Sequence, residues 1–260
     1  MNKINQLFEE QKKTGRKLLS LYFCAGCPTV EGTGLVLKTL QRRGIDMIEV
    51  GMPFSDPLAD GPVIQHAGTV ALKNGMTTDL LFSQLCAVKD EIRIPLVWMG
   101  YLNVVMHYGY ERFFKKCVEA GISGLIIPDL PFQDYLDVVK PLADKYDLRV
   151  IMMITPETSE ERVRWIDRHT DGFIYMVSSA SITGAQTCFE DAKLDYFHRI
   201  DSMQLRNPRM IGFGISNKQT LESAQANAAG AIIGSKFVTL LHDTNDVEVA
   251  MDLLDKELKK

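Results

Sequence analysis

Eight short apolar runs, each followed by a longer polar or amphipathic stretch, constrain how this chain folds more than any other feature. They lie at 18–25, 47–52, 94–99, 124–128, 149–155, 172–177, 210–214 and 231–234, and most are rich in Ile, Val, Leu, Met or Phe. Within each run the alternation of apolar and polar residues is weak. Parallel strands covered by helices read this way, because both of their faces are withdrawn from water. Helical patterns fill 32–43, 110–120, 158–169, 218–229 and 247–258, and 5–13 predicts an extra helix ahead of the first strand. Gly44 and Gly121 close two of these helices as C-terminal caps, and Thr158 with Glu161 fits a capping box.

Eight βα units in one row predict a single (β/α)8 TIM barrel with an extra N-terminal helix. An open doubly wound sheet is the alternative the same alternation builds, although no G-x-G-x-x-G follows the first strand. The 260 residues are close to the roughly 250 of one such barrel, and no linker or low-complexity stretch divides them, so 1–260 is expected to be one domain. A net charge of −4 gives no support to a nucleic-acid or anionic-membrane partner, which leaves room for a local basic pocket for one small anion. The polar N-terminal segment lacks a secretory pattern, and the longest apolar runs are too short to span a bilayer, so a cytoplasmic protein is expected. Cys24, Cys27, Cys86, Cys117 and Cys188 are too scattered for a disulfide framework. Cys24 and Cys27 form a C-x-x-C with no second half to complete a metal site, so they read as a strand-end and a loop cysteine. His66, His107, His169, His198 and His242 show no metal-ligand spacing; His169 and His198 read as surface.

Three constellations carry chemistry. Glu49 interrupts an apolar strand and, by the period of two, shares one face with Met47 and Gly51, pointing into the barrel. A carboxyl there is either a catalytic acid or base with a moved pKa, or a glutamate salt-bridged at a strand end. The loop 53–61 holds Asp56 and Asp60 among Pro53, Pro57 and Pro62, which restrict its backbone over the barrel mouth; Asp-Pro and Asp-Gly are also plain turn dipeptides. Gly212, Gly214 and Gly234-Ser235 stand at the ends of the last two strands, where barrels bind phosphate on backbone N–H groups; ordinary tight turns are the alternative. A second long loop, 178–187, follows the sixth strand. There is no G-x-S-x-G to support a serine hydrolase.

The stretch EVGMPFSDPLADGP, from Glu49 to Pro62, closely resembles the signature of the tryptophan synthase alpha chains. The similarity continues in GYLN with Tyr101 and Asn103, in IPDLP from Ile127 to Pro131, in SITG from Ser181 to Gly184, and in GFGIS with Gly234-Ser235. The resemblance implies retro-aldol cleavage of indole-3-glycerol phosphate to indole and glyceraldehyde 3-phosphate, with no cofactor or metal. It implies Glu49 as catalytic acid/base and Asp60 as its partner carboxylate. Tyr22, Tyr175, Thr183, Gly184, Gly214, Gly234 and Ser235 become substrate-binding, with Thr183 and Gly184 in a lid. Tyr22 stands where a phenylalanine often lies, and Ser179 where some members carry an arginine. The implied partner is a pyridoxal-phosphate-dependent beta chain in an α2β2 complex. The rival readings are another phosphate-binding barrel, such as a sugar-phosphate isomerase, and a non-catalytic barrel that activates a partner beta chain.

Overall fold

The apolar runs become eight parallel strands that close on themselves in chain order: β1 (Leu18–Cys24), β2 (Met47–Gly51), β3 (Leu96–Met99), β4 (Ile122–Ile126), β5 (Arg149–Ile154), β6 (Ile174–Val177), β7 (Arg209–Gly212) and β8 (Gly230–Ile233). This computed structural model describes residues 1–178 and 191–259. Closure settles the choice between a barrel and an open sheet. The register also shows the stagger a barrel requires. Neighbours in register run Tyr22, Glu49, Val97, Gly124, Arg149 from the upper part of β1 to the first residue of β5. A second row runs Met153, Tyr175, Met210, Gly230, Leu18, and ends on the first residue of β1. Met153 stands four residues above Arg149 on β5, and Tyr22 four above Leu18 on β1, so one circuit shifts the register by eight, the shear of this fold.

Helices cover the outside. Those read from the sequence are present, as Thr33–Arg42, Tyr110–Glu119, Glu160–His169, Lys218–Asn227 and Val247–Lys259. Gly44 and Gly121 have φ of 83° and 78°, the left-handed conformation that glycine adopts without a Cβ clash. One helix starts later than its pattern suggests. The fifth-strand helix begins at Glu160, and its cap is Ser159, whose side chain accepts from the Arg162 N–H. Thr158 lies outside it and accepts from the Thr155 N–H at 2.9 Å, so the expected capping box is absent. Helices at Pro62–Lys73, Thr78–Val88, Leu102–Tyr108, Asp191–Ser202 and Ser235–Thr244 are not among those read from the pattern. Their apolar stripes are short or begin in a loop that carries other signals.

The extra N-terminal helix is Lys3–Thr14, and it stoppers the foot of the barrel. Gly124, midway along β4 and level with the first residue of β5, faces inward, and the Ile4 side chain occupies the space beside it: a Cβ on Gly124 would stand 2.6 Å from Ile4 Cδ1. Ile4 is fully buried. The Asn2 amide donates to the carbonyls of Ser123 at 2.8 Å and Asp147 at 2.6 Å, and Arg149 Nε donates to Asn5 at 2.7 Å. The open end of the barrel is therefore the end where the strands finish and the two carboxylate-bearing segments meet.

Candidate active site

At the C-terminal ends of the strands a cleft of about 670 Å³, counting its open mouth, is lined by Tyr22, Glu49, Asp60, Tyr175, Gly214, Gly234 and Ser235, among others. Seven of the nine residues expected at the site thus share one cavity. The other two, Thr183 and Gly184, lie outside the described residues, as does most of the loop 178–187.

Glu49 points inward from β2, as its parity requires, and is 1% exposed. The Ser20 hydroxyl, two residues before Tyr22 on the same face of β1, donates to its Oε1 at 3.4 Å, while Oε2 has no hydrogen-bond partner among the described residues. Burial opposes the charged form, the single long contact from Ser20 offsets little of it, and the carboxyl pKa rises to about 8. Among the described residues no cation stands against it, which removes the salt-bridge reading. At neutral pH this group holds its proton.

Asp60 is carried by the loop between β2 and the helix Pro62–Lys73. Tyr101, from the loop after β3, fastens that loop three ways: its ring stacks on Phe54 at 5.1 Å between centroids, its hydroxyl accepts from the Ala59 N–H, and the same hydroxyl donates to Asp60 Oδ2, both at 3.0 Å. Burial raises the Asp60 pKa to about 6, with the Tyr101 hydrogen bond pulling the other way. Asp60 is therefore mostly ionised near neutrality. Asp56 takes a contact from Ser55 at the exposed edge of the loop and does not line the cleft, so the two aspartates separate into one inside and one outside.

The glycines supply the other end of the cleft. Phe213 and Gly214 follow β7 with φ of 70° and 75°, a tight turn that strains a non-glycine residue. The Ser178 hydroxyl donates to the Phe213 carbonyl at 2.6 Å and holds the turn against the end of β6. Gly234 is the N-cap of the helix Ser235–Thr244. The first turn of such a helix presents N–H groups with no acceptor inside the helix, and its dipole favours an anion there.

Two tyrosines flank this cavity in the same way. Tyr22 on β1 reaches over Gly51 at the end of β2, and Tyr175 on β6 reaches over Gly212 at the end of β7. A Cβ at either glycine would come within 2.1 Å of the tyrosine hydroxyl. Gly51 and Gly212 thus make room for the rings, a reason for these glycines beyond turn formation. The sequence reading misses Ser20, Phe213, Ser216 and Lys236, and gives Tyr101 no role in the site. Ser20 is detectable by parity with Tyr22; the Tyr101 contact spans 41 residues and depends on the loop's path.

Cys24 ends β1 and Cys27 sits in the following turn, both buried and unpaired, as a strand-end and a loop cysteine. Burial pushes the Cys27 thiol up to about 11 and the Cys24 thiol higher still, which keeps both in the poorly reactive thiol form. His66 and His242 meet in space, ring centroids 5.2 Å apart, a proximity with no trace in their sequence spacing. Among the described residues no helix is long and apolar enough to cross a membrane.

A closed (β/α)8 barrel with two carboxyls of separated acidity in one cleft, one buried and one partly buried, beside a helix N-terminus suited to an anion, has the make-up of the barrel enzymes that do acid–base chemistry. Comparison with known proteins narrows the class. The tryptophan synthase alpha chain family model matches residues 8–259, and the chain belongs to that family. It is 63% identical over 260 residues to the tryptophan synthase alpha chain of Phocaeicola vulgatus and 60% identical over 259 residues to that of Bacteroides thetaiotaomicron, covering the full length of both. Among solved structures it is similar to tryptophan synthase subunit alpha from Legionella pneumophila, at 30% identity and a TM-score of 0.88, covering 100% of this chain and 98% of that one. The chain is accordingly a carbon–carbon lyase of tryptophan biosynthesis that cleaves indole-3-glycerol phosphate.

Proposed function

We propose that the cleft performs this cleavage with Glu49 as the proton carrier and Asp60 as the fixed anion. The observation that carries the reading is that one cleft holds two carboxyls in opposite settings: Glu49 buried with a single long contact from Ser20, which favours its protonated form, and Asp60 hydrogen-bonded by Tyr101, which favours its ionised form. Glu49 delivers its proton to C3 of the indole ring, and the ring nitrogen takes up positive charge. Asp60 accepts the indole N–H and stabilises that cation. The bond between C3 and C3′ then breaks, its electron pair returns to the ring, and the C3′ hydroxyl proton passes to the Glu49 carboxylate. Indole and the aldehyde phosphate result, and Glu49 ends as it began. Gly214, Gly234 and Ser235 hold the phosphate through backbone N–H groups, with Gly184 and Thr183 assigned to the lid by resemblance. Tyr22 and Tyr175 flank the substrate.

The chain works as one domain, in the cytoplasm, beside a pyridoxal-phosphate-dependent beta chain in an α2β2 assembly. Leu58, 86% exposed in the Asp60 loop, and Met106, 55% exposed in the helix after β3, are apolar side chains on segments that follow strand ends and are open to such a partner. A barrel that only activates its partner would have no use for a carboxyl kept dry at this cost. The test is indole release from indole-3-glycerol phosphate, with and without the beta chain, for the wild type and Glu49→Gln. Loss of nearly all turnover with retained substrate binding is expected. Wild-type turnover in a folded Glu49→Gln protein overturns the assignment.

A further inference from the structure

Tyr22 runs from the phosphate end of the cleft to its proton-transfer end. Its Cβ and Cδ1 lie 3.7 and 3.9 Å from the place a Cβ on Gly234 would occupy, at the start of the anion-binding helix. Its hydroxyl stands over Gly51, 2.1 Å from the place a Cβ there would occupy. Gly51 is the inward position directly above Glu49 on β2, and Tyr22 is itself in register with Glu49 across the β1–β2 pair. The phenol ring therefore lies alongside whatever joins the phosphate to the group that Glu49 protonates. In the substrate that linker is the three-carbon glyceryl chain, and its carbon next to the ring, C3′, carries the hydroxyl that becomes the aldehyde.

The hydroxyl of Tyr22 makes no hydrogen bond with any described residue, although Tyr22 is only 8% exposed and lines the cavity. The hydroxyl is not sealed in the core but borders the cleft, where a substrate oxygen can take its hydrogen bond. Burial also raises the phenol pKa far above its ordinary value, with Cys24, Asp60, Tyr101 and Glu49 as nearby groups that oppose a phenolate. The hydroxyl therefore stays a donor throughout the working pH range.

We propose that the Tyr22 hydroxyl is a further catalytic group, donating a hydrogen bond to the C3′ oxygen of the substrate while the bond between C3 and C3′ breaks. In that step the C3′ oxygen gives its proton to the Glu49 carboxylate and becomes a carbonyl oxygen. Negative charge builds on it before the carbon–carbon bond has fully parted, and a fixed donor lowers the energy of that moment more than it tightens the ground state. Tyr22 itself exchanges no proton. A phenyl ring at this position fills the same space but offers no donor, so the hydroxyl is an addition to the common machinery and not a replacement for Glu49. The proposal rests on the placement of Glu49 and the phosphate cradle described above.

The test compares wild type, Tyr22→Phe and Glu49→Gln as full-length chains with the beta chain present. Steady-state indole release is measured, together with the Kd of indole-3-propanol phosphate, which carries ring and phosphate but no glyceryl hydroxyl. Tyr22→Phe is expected to lower kcat about fivefold to tenfold, the worth of one neutral hydrogen bond, with KM changed less than about twofold. The Kd of the propanol phosphate is expected to stay the same. An unchanged kcat in Tyr22→Phe, while Glu49→Gln is inactive, overturns the role of Tyr22 and leaves the active site standing. Equal weakening of the propanol phosphate also overturns it, because the hydroxyl would then serve the shape of the pocket. Turnover retained by Glu49→Gln removes the reaction from this arrangement, and the Tyr22 role with it.

Discussion

Replacing Glu49 by glutamine should make the protein more stable, by an amount that depends on pH. The folded carboxyl holds its proton up to about pH 8, against 4.5 for the same group in water. The unfolded chain releases that proton near its ordinary value. Between these two pH values the folded state binds more protons than the unfolded state, so stability falls as pH rises through the window. Each pH unit crossed costs about 1.36 kcal/mol. By pH 7 the wild type has lost roughly 3 kcal/mol relative to its value near pH 4.5, and by pH 8 roughly 4 kcal/mol. The glutamine side chain has the same shape and no proton to lose, so the Glu49→Gln variant escapes this slope. For a chain of this length each kcal/mol moves Tm by roughly 2–4 °C, so between pH 4.5 and pH 7 the variant's melting point should gain about 10 °C on the wild type's. Urea unfolding of both proteins from pH 5 to pH 8, at fixed ionic strength, measures the difference as a widening gap in midpoint at equal m. Parallel curves would refute the reasoning, because they would mean that Glu49 titrates alike in the folded and unfolded chains and is not kept dry.

The same two carboxyls shape the rate. Asp60 must be ionised, above about pH 6, and Glu49 protonated, below about pH 8, so kcat/KM should fall on both sides of that interval; a flat profile from pH 5 to pH 9 contradicts the assignment of roles. Tyr101→Phe removes the donor that favours ionised Asp60, and should move the acid limb to higher pH; titrating kcat/KM of the variant from pH 5 to pH 7 checks it. Gly234→Asp sets a carboxylate at the helix N-terminus and should weaken glyceraldehyde 3-phosphate binding at least about tenfold while sparing indole, as measured by calorimetry; equal loss for both ligands points to a misfolded cleft.

How far the site can be read from the sequence divides along physical lines. Period-two parity places Glu49 inward, because a strand's geometry is local, and the same parity reaches Ser20 from Tyr22. The row of eight apolar runs announces the barrel, because each strand must be apolar on both faces. The Asp60 loop is legible only as a constrained turn. What sets Asp60 apart from Asp56 is Tyr101, brought over from another strand end. The helix Ser235–Thr244 escapes notice because its first residues read as a glycine turn, and that overlap of turn and helix start is what an anion site uses. The reach of Tyr22 over Gly51 depends on the β1–β2 register and has no counterpart in spacing along the chain.

Ile4, seated beside Gly124, turns the barrel into a blind-ended vessel. Substrate and both products must use the same doorway. The products differ sharply: indole is small, flat and uncharged, whereas the aldehyde keeps the phosphate for which the last two strand ends are the proposed cradle. Whatever covers the rim during a turnover therefore governs traffic in both directions. A partner docked on that rim receives the uncharged product without competing with any exit at the opposite end.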